Sequence, residues 1–139
     1  MTEDDLIRQV LTTTTRIALV GASNKPDRPS YGVMRFLLAQ GFDVIPINPG
    51  LAGQEILGQK VVATLAEAAP LDLVDLFRNP ADVQSPVEEA IRLGAKTIWM
   101  QLGVINEQAA ALARAAGLTV IMNRCPAIEI PRLGIVSTP

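Results

Sequence analysis

The sequence predicts an α/β fold: a doubly wound parallel sheet of about five strands with helices on both faces. Short apolar runs recur along the chain, and between most of them lie amphipathic stretches that stop on a glycine. The size agrees, since 139 residues with 49% hydrophobic and 19% charged side chains suit one domain, residues 1–139, with a sizeable core.

Residues 2–14 read as a helix. Thr2 suits the N-cap, Glu3, Asp4 and Asp5 favour the positive helix start, and Leu6, Ile7, Val10 and Leu11 form a stripe at helical spacing. The run Thr12–Thr15 ends it, and Arg16-Ile17-Ala18-Leu19-Val20 follows as a buried strand. Residues 30–40 suit a helix with Ser30 as its cap and Gly41 as its stop. Residues 43–47 form a second strand. Pro46 within it lacks a ladder N–H, which points to an edge or a special strand end. Residues 51–63 read as irregular apart from a short strand at Val61-Val62, with a short helix over 64–69. A strand over 71–77, a helix over 81–93 stopped by Gly94, a strand over 97–101, an Ala-rich helix over 106–116 stopped by Gly117 and a last clear strand over 118–122 complete the pattern. Strand–helix alternation with right-handed crossovers makes the sheet Rossmann-like.

Composition removes much catalytic chemistry. Histidine is absent, which excludes Ser-His-Asp and Cys-His machinery, phosphohistidine chemistry and the usual catalytic zinc sites. The lone Cys125 allows neither an internal disulfide nor a cysteine metal cluster. A net charge of −2 and 4% aromatics argue against nucleic acid as a partner. The acidic start Met1-Thr2-Glu3-Asp4-Asp5 is unlike a signal peptide and no run is long enough to span a bilayer, so the expectation is a cytoplasmic protein with no membrane partner.

In open α/β sheets ligands bind beyond the carboxyl ends of the strands, so the strand tails hold the candidate site. The first tail is long, running from Gly21 to Gly32. Gly21 permits a tight turn, Ser23 offers a hydroxyl, and Lys25 and Arg28 can neutralise phosphate; their alternative reading is solvated loop charge. The dinucleotide fingerprint fails, because Ser23 and Pro26 stand where its second and third glycines belong. The second tail offers Asn48-Pro49 where an acidic ribose ligand would be expected, so an ordinary NAD enzyme is disfavoured.

Val20-Gly21-Ala22-Ser23, Val44-Ile45-Pro46-Ile47-Asn48-Pro49, Phe77-Arg78-Asn79-Pro80, Gln101-Leu102-Gly103 and Asn123-Arg124-Cys125-Pro126 follow one another in order. The ordered set, covering about residues 13–130, resembles the stand-alone CoA-binding domain family. That family is similar to the N-terminal domain of the succinyl-CoA synthetase alpha subunit and of ADP-forming acyl-CoA synthetases. The resemblance implies coenzyme A as the cofactor, bound at the carboxyl edge. Gly21, Ala22 and Ser23 would approach its phosphate and ribose region. Asn48 and Pro49 would line the nucleotide, with Lys25 and Arg28 on phosphate. Phe77, Arg78, Asn79 and Pro80 would form a wall, Gln101, Leu102 and Gly103 would flank the adenine or the pantetheine entry, and Asn123 would complete the edge. The ligases carry a phosphorylated histidine in a second domain; this sequence has no histidine, so the expectation is binding of CoA or acyl-CoA without ligase activity.

Three functions stand side by side at this point: a CoA-binding module, a small oxidoreductase or transferase using a nucleotide cofactor, and a regulatory partner of a larger acyl-CoA synthetase. A homo-oligomer is also open, the first helix packing either on a second copy or on its own sheet. Cys125 reads as a small buried hydrophobe, or as a thiol forming a mixed disulfide with CoA. Asp72 and Asp75 point to opposite faces of their strand and make a poor catalytic pair. Glu88 and Glu89 read as a solvated face and Trp99 as core. Glu129 and Arg132 pair with each other or with the first loop.

Overall fold

A computed structural model describes residues 1–136. The first helix, α1 (Glu3–Thr13), starts in a capping box: Asp5 N–H donates to Thr2 Oγ1 at 3.1 Å and Thr2 N–H donates to the Asp5 carboxylate at 3.0 Å. Then come β1 (Arg16–Val20), α2 (Pro29–Ala39), β2 (Asp43–Ile47), and a small hairpin of β3 (Glu55–Ile56) and β4 (Gln59–Lys60). The chain continues through β5 (Leu73–Leu76), α3 (Gln84–Arg92), β6 (Thr97–Met100), α4 (Glu107–Ala115), β7 (Thr119–Met122) and α5 (Pro126–Arg132).

Five strands form one parallel sheet in the order β2-β1-β5-β6-β7. The chain winds outward from β1 to β2, then returns to the other side of β1 with β5. The winding therefore reverses between β1 and β5, where the strand ends splay into a crevice. Both faces are covered. Ile7, Leu11, Met34, Leu37 and Ile130 from α1, α2 and α5 pack on Ile17, Leu19, Leu73 and Trp99. Val87, Ala90, Ala109, Ala110 and Ala113 from α3 and α4 pack on Ala18, Val74, Leu76 and Ile98. The Ala-rich face of α4 lets that helix approach the sheet closely.

Pro46 does lie on an edge strand, and its carbonyl accepts from Val62 N–H at 3.0 Å. Around it the sequence reading needs correction. Val62 makes one isolated bridge to Ile47 rather than part of a strand, and the helix expected over 64–69 is a 3₁₀ turn at Ala66–Ala68. The hairpin of β3 and β4 escaped notice because two-residue strands carry no period; its turn places Leu57 and Gly58 at φ of 50° and 80°. Ser30 does not cap α2. Arg28 holds the N-cap position without a side-chain bond, Pro29 with its fixed φ takes the first turn, and Ser30 is buried behind it. The α5 helix was not expected, since Pro126 and Pro131 break its helical signature. Finally, α1 packs on its own sheet, with Ile7, Val10 and Leu11 buried.

Candidate functional site

A cavity of about 880 Å³ opens at the carboxyl ends of the strands, centred on the crevice between β1 and β5. Its shape starts at Gly21. The N–H groups of Gly21 and Ala22 both donate to Ile47 O, at 3.1 and 3.2 Å, which anchors the β1 tail to the edge strand. On the other side Phe77 N–H donates to Val20 O at 2.9 Å, and the Phe77 carbonyl lies where a Cβ on Gly21 would sit, 2.1 Å away. Gly21 also has φ of +88°, so only glycine fits this turn without strain. From the second tail, Asn48 Nδ2 donates to Ala22 O at 2.8 Å while its Oδ1 accepts Gly50 N–H at 2.8 Å. One amide thus ties the first and second tails together.

The β1 tail and the start of α2 bring Ser23, Lys25, Arg28 and Ser30 to the cavity. No side chain caps α2, so its first N–H groups keep their partial positive charge for a ligand. The β5 tail adds Phe77, Arg78 and Asn79, the β6 tail adds Gln101, Leu102 and Val104, and Cys125 comes from the turn after β7. The lining has three cations, Lys25, Arg28 and Arg78, and no carboxylate. All three sit on the β1 and β5 tails, so the cavity runs from a cationic end to an uncharged end at β6 and β7. Arg124 is near in sequence but turned away. Its Nε donates to Glu3 at 2.9 Å and its Nη1 to Glu129 at 3.0 Å. Arg132 joins the same group, bonding Glu129 at 2.7 Å and Asp4 at 2.6 Å. Glu129 and Arg132 therefore pair with each other, and Arg132 also with Asp4 of α1, not with the first loop.

Four residues expected at the site stand outside this cavity. Pro49 lines a neighbouring hollow of about 400 Å³, together with Asp82 and Glu89. The Pro80 carbonyl accepts from Asn106 Nδ2 at 2.9 Å. Asn123, at φ of 61°, accepts Gly103 N–H on its Oδ1 at 2.8 Å, which braces the β6 and β7 tails against each other. Conversely, Ser30 and Val33 were not expected at the site. They lie one helical turn apart on α2, and that spacing was the available signal.

Behind the uncharged end lies Asp75. It is fully buried on the central strand, in register with Leu19 and Trp99, and burial pushes its carboxyl well above the usual range. Its partner is Gln101, whose side-chain amide end lies 2.8 and 3.0 Å from the two carboxyl oxygens; with its nitrogen turned inward the amide donates to both. Trp99, core as expected, donates from Nε1 to Arg124 O at 2.7 Å. Among the described residues no group of side chains could hold a metal ion, and no helix is long and apolar enough to cross a membrane.

A Rossmann-like domain with a cation-lined cleft at its switch point has that cleft where open α/β sheets bind their ligands. The chain belongs to the CoA binding domain family, which matches residues 15–131. It is 38% identical over 120 residues to the protein YneT of Bacillus subtilis (strain 168), covering 86% of this chain and 87% of that one. A hypothetical protein from Pyrococcus horikoshii OT3 is similar in structure, with 42% identity and a TM-score of 0.89 over 96% of this chain and 92% of that one. The dinucleotide-forming acetyl-coenzyme A synthetase 1 of Ca. Korarchaeum cryptofilum is 25% identical, with a TM-score of 0.69, over 86% of this chain but 28% of the synthetase.

Proposed function

We propose that the protein binds coenzyme A or an acyl-CoA in the large cavity and does not itself ligate CoA. The observation that carries this reading is the charge layout of the lining: three cations and an uncapped helix start at one end, an uncharged half-apolar groove at the other. CoA has the matching polarity. Its diphosphate and 3′-phosphate need cations and N–H donors, and its pantetheine arm needs an uncharged channel with a few polar contacts. On this reading Lys25, Arg28 and Arg78 hold phosphate, Ser23 and the α2 start donate to it, and the arm runs past Phe77 toward Gln101, Leu102 and Cys125. The side chains that reach the cavity include a thiol, amides and hydroxyls, but no histidine or carboxylate to relay a phosphoryl group. Membership of the CoA binding domain family supports the same ligand.

The test is native mass spectrometry of the purified protein offered CoA, acetyl-CoA, NAD and ATP together. Retention of CoA or acetyl-CoA over NAD and ATP is expected. No CoA adduct at about millimolar ligand would overturn the reading.

A further inference from the structure

The Asp75–Gln101 pair has no part in holding phosphate, yet Gln101 lines the uncharged end of the cavity while Asp75 is sealed behind it. Gln101 has only 4% of its surface exposed, and its side chain makes no hydrogen bond other than that to Asp75 among the described residues. An amide has a donor end and an acceptor end, and one of them is committed to Asp75. The other end is left for whatever occupies the cavity.

We propose that Asp75 is a positioning residue that decides which end of the Gln101 amide faces the cavity, and thereby whether the uncharged end of the site selects a carbonyl acceptor or a hydrogen-bond donor. When Asp75 is ionised, both its oxygens accept, so the Gln101 nitrogen turns inward and the Gln101 oxygen faces the ligand. When Asp75 is protonated, its O–H donates to the Gln101 oxygen, and the NH₂ group faces the ligand. Nothing but a proton and a half-turn about the last side-chain bond separates the two arrangements. Burial favours the protonated one.

No neighbouring charge opposes this. The sheet residues beside Asp75 are Leu19 and Trp99. Of the elements packed over that face, α2 carries Tyr31 and Arg35, which stack on each other, with Arg28 at its start. On α1 are Glu3, Asp4, Asp5 and Arg8, and around α5 are Cys125, Arg124, Glu129 and Arg132, of which Glu3, Asp4 and Glu129 are engaged with the two arginines. Burial raises the Asp75 carboxyl.

The inference rests on the CoA reading for the identity of the ligand. Phosphates at the cationic end place the thiol end of the arm toward Gln101. A thioester carbonyl there is an acceptor, which suits Gln101 with its NH₂ outward. Protonated Asp75 therefore favours acyl-CoA, and ionised Asp75 disfavours it.

Two readouts test this on the whole protein. In the ligand-free protein, the side-chain amide resonances of Gln101 should titrate together with the Asp75 carboxyl in nuclear magnetic resonance spectra. They should be invariant in Asp75→Asn, whose side-chain amide does not titrate. Amide resonances that ignore the Asp75 titration overturn the inference whatever the protein binds. Calorimetry with acetyl-CoA and S-ethyl-CoA, which lacks the carbonyl, supplies the second. The affinity ratio of the two should fall about tenfold across the Asp75 titration, the worth of one hydrogen bond reversed, and should be independent of pH in Asp75→Asn. A ratio independent of pH in the wild-type protein overturns the inference. If neither compound binds while Gln101 still titrates with Asp75, the CoA reading fails and the positioning role stands.

Discussion

Replacing Gly21 by alanine should damage the protein far more than the same change at Gly32. The new Cβ would lie 2.1 Å from the Phe77 carbonyl oxygen and 3.0 Å from its carbon. A rotamer change cannot relieve this, because the obstacle is backbone and that backbone is pinned: Phe77 N–H is bonded to Val20 at 2.9 Å and the Gly21 and Ala22 N–H groups to Ile47. The β1 and β5 tails must part by roughly 1 Å to restore an ordinary contact. An L-residue at φ of +88° adds about 1–2 kcal/mol of backbone strain, and forced repacking about 1–3 kcal/mol more. The expected loss is about 2–5 kcal/mol, a sizeable fraction of the about 5–15 kcal/mol a domain possesses. Denaturant unfolding measures it, with Gly32→Ala as the matched control. Gly32 is inside α2 with nothing within 4 Å of its added Cβ, so that change should stabilise by about 0.5–1 kcal/mol. A Gly21→Ala loss below about 1 kcal/mol would refute the account of the crevice as a clamped close approach.

Two further outcomes follow from the charges. Lys25→Ala with Arg28→Ala should weaken CoA binding at least about tenfold and flatten its salt dependence in calorimetry, while leaving the melting temperature nearly unchanged, since both side chains are exposed. Asp75→Asn should become relatively more stable than wild type as pH rises. In the unfolded chain Asp75 ionises near its ordinary value, whereas the folded protein keeps its proton to higher pH. Wild-type stability therefore falls through that window, by up to about 1.4 kcal/mol per pH unit, and the asparagine variant lacks this slope. Parallel melting curves for the two proteins across pH would show that Asp75 does not hold its proton.

The sheet was legible because each strand is a short apolar run and each helix between two of its strands stops at a glycine, and the strand tails followed from the sheet. What the sequence hid was long-range pairing. Asp72 and Asp75 could be placed on opposite faces by counting, but not their destinations. Asp72 accepts Thr15 N–H at 2.8 Å at the amino end of the sheet, whereas Asp75 meets a glutamine 26 residues later, across a neighbouring strand. Gln101 itself was picked out as a tail residue, with no sign that its amide was spoken for. Likewise Asn123 and Pro80 lie on the right loops, yet their polar groups brace neighbouring tails rather than face the cavity. Periodicity reports which face a residue takes; it is silent on which partner that face meets.

The uncharged end of the cavity depends on a cation being held elsewhere. Arg124 leaves β7 one residue before Cys125, which lines the site, and its guanidinium is drawn off by Glu3 and by Glu129, itself 4% exposed. Glu3 and Asp4 belong to α1, which precedes the segment 15–131 that the family matches. The first helix thus acts on the site at a distance, by locking α5 and the turn that carries Cys125. Glu3→Gln with Asp4→Asn should loosen that clasp without touching the cavity. Exposed pairs contribute little each, so opening of the Cys125 turn, and with it the rate of thiol modification, should rise by about threefold. Acid should loosen the same clasp. The Arg132 hydrogen bond holds the Asp4 carboxyl below its usual range, so its stabilising contribution is complete above the ordinary carboxylate value and disappears as pH falls through the lowered one. A modification rate for Cys125 that is the same in wild type and variant would show that α1 merely covers the sheet and sets nothing at the site.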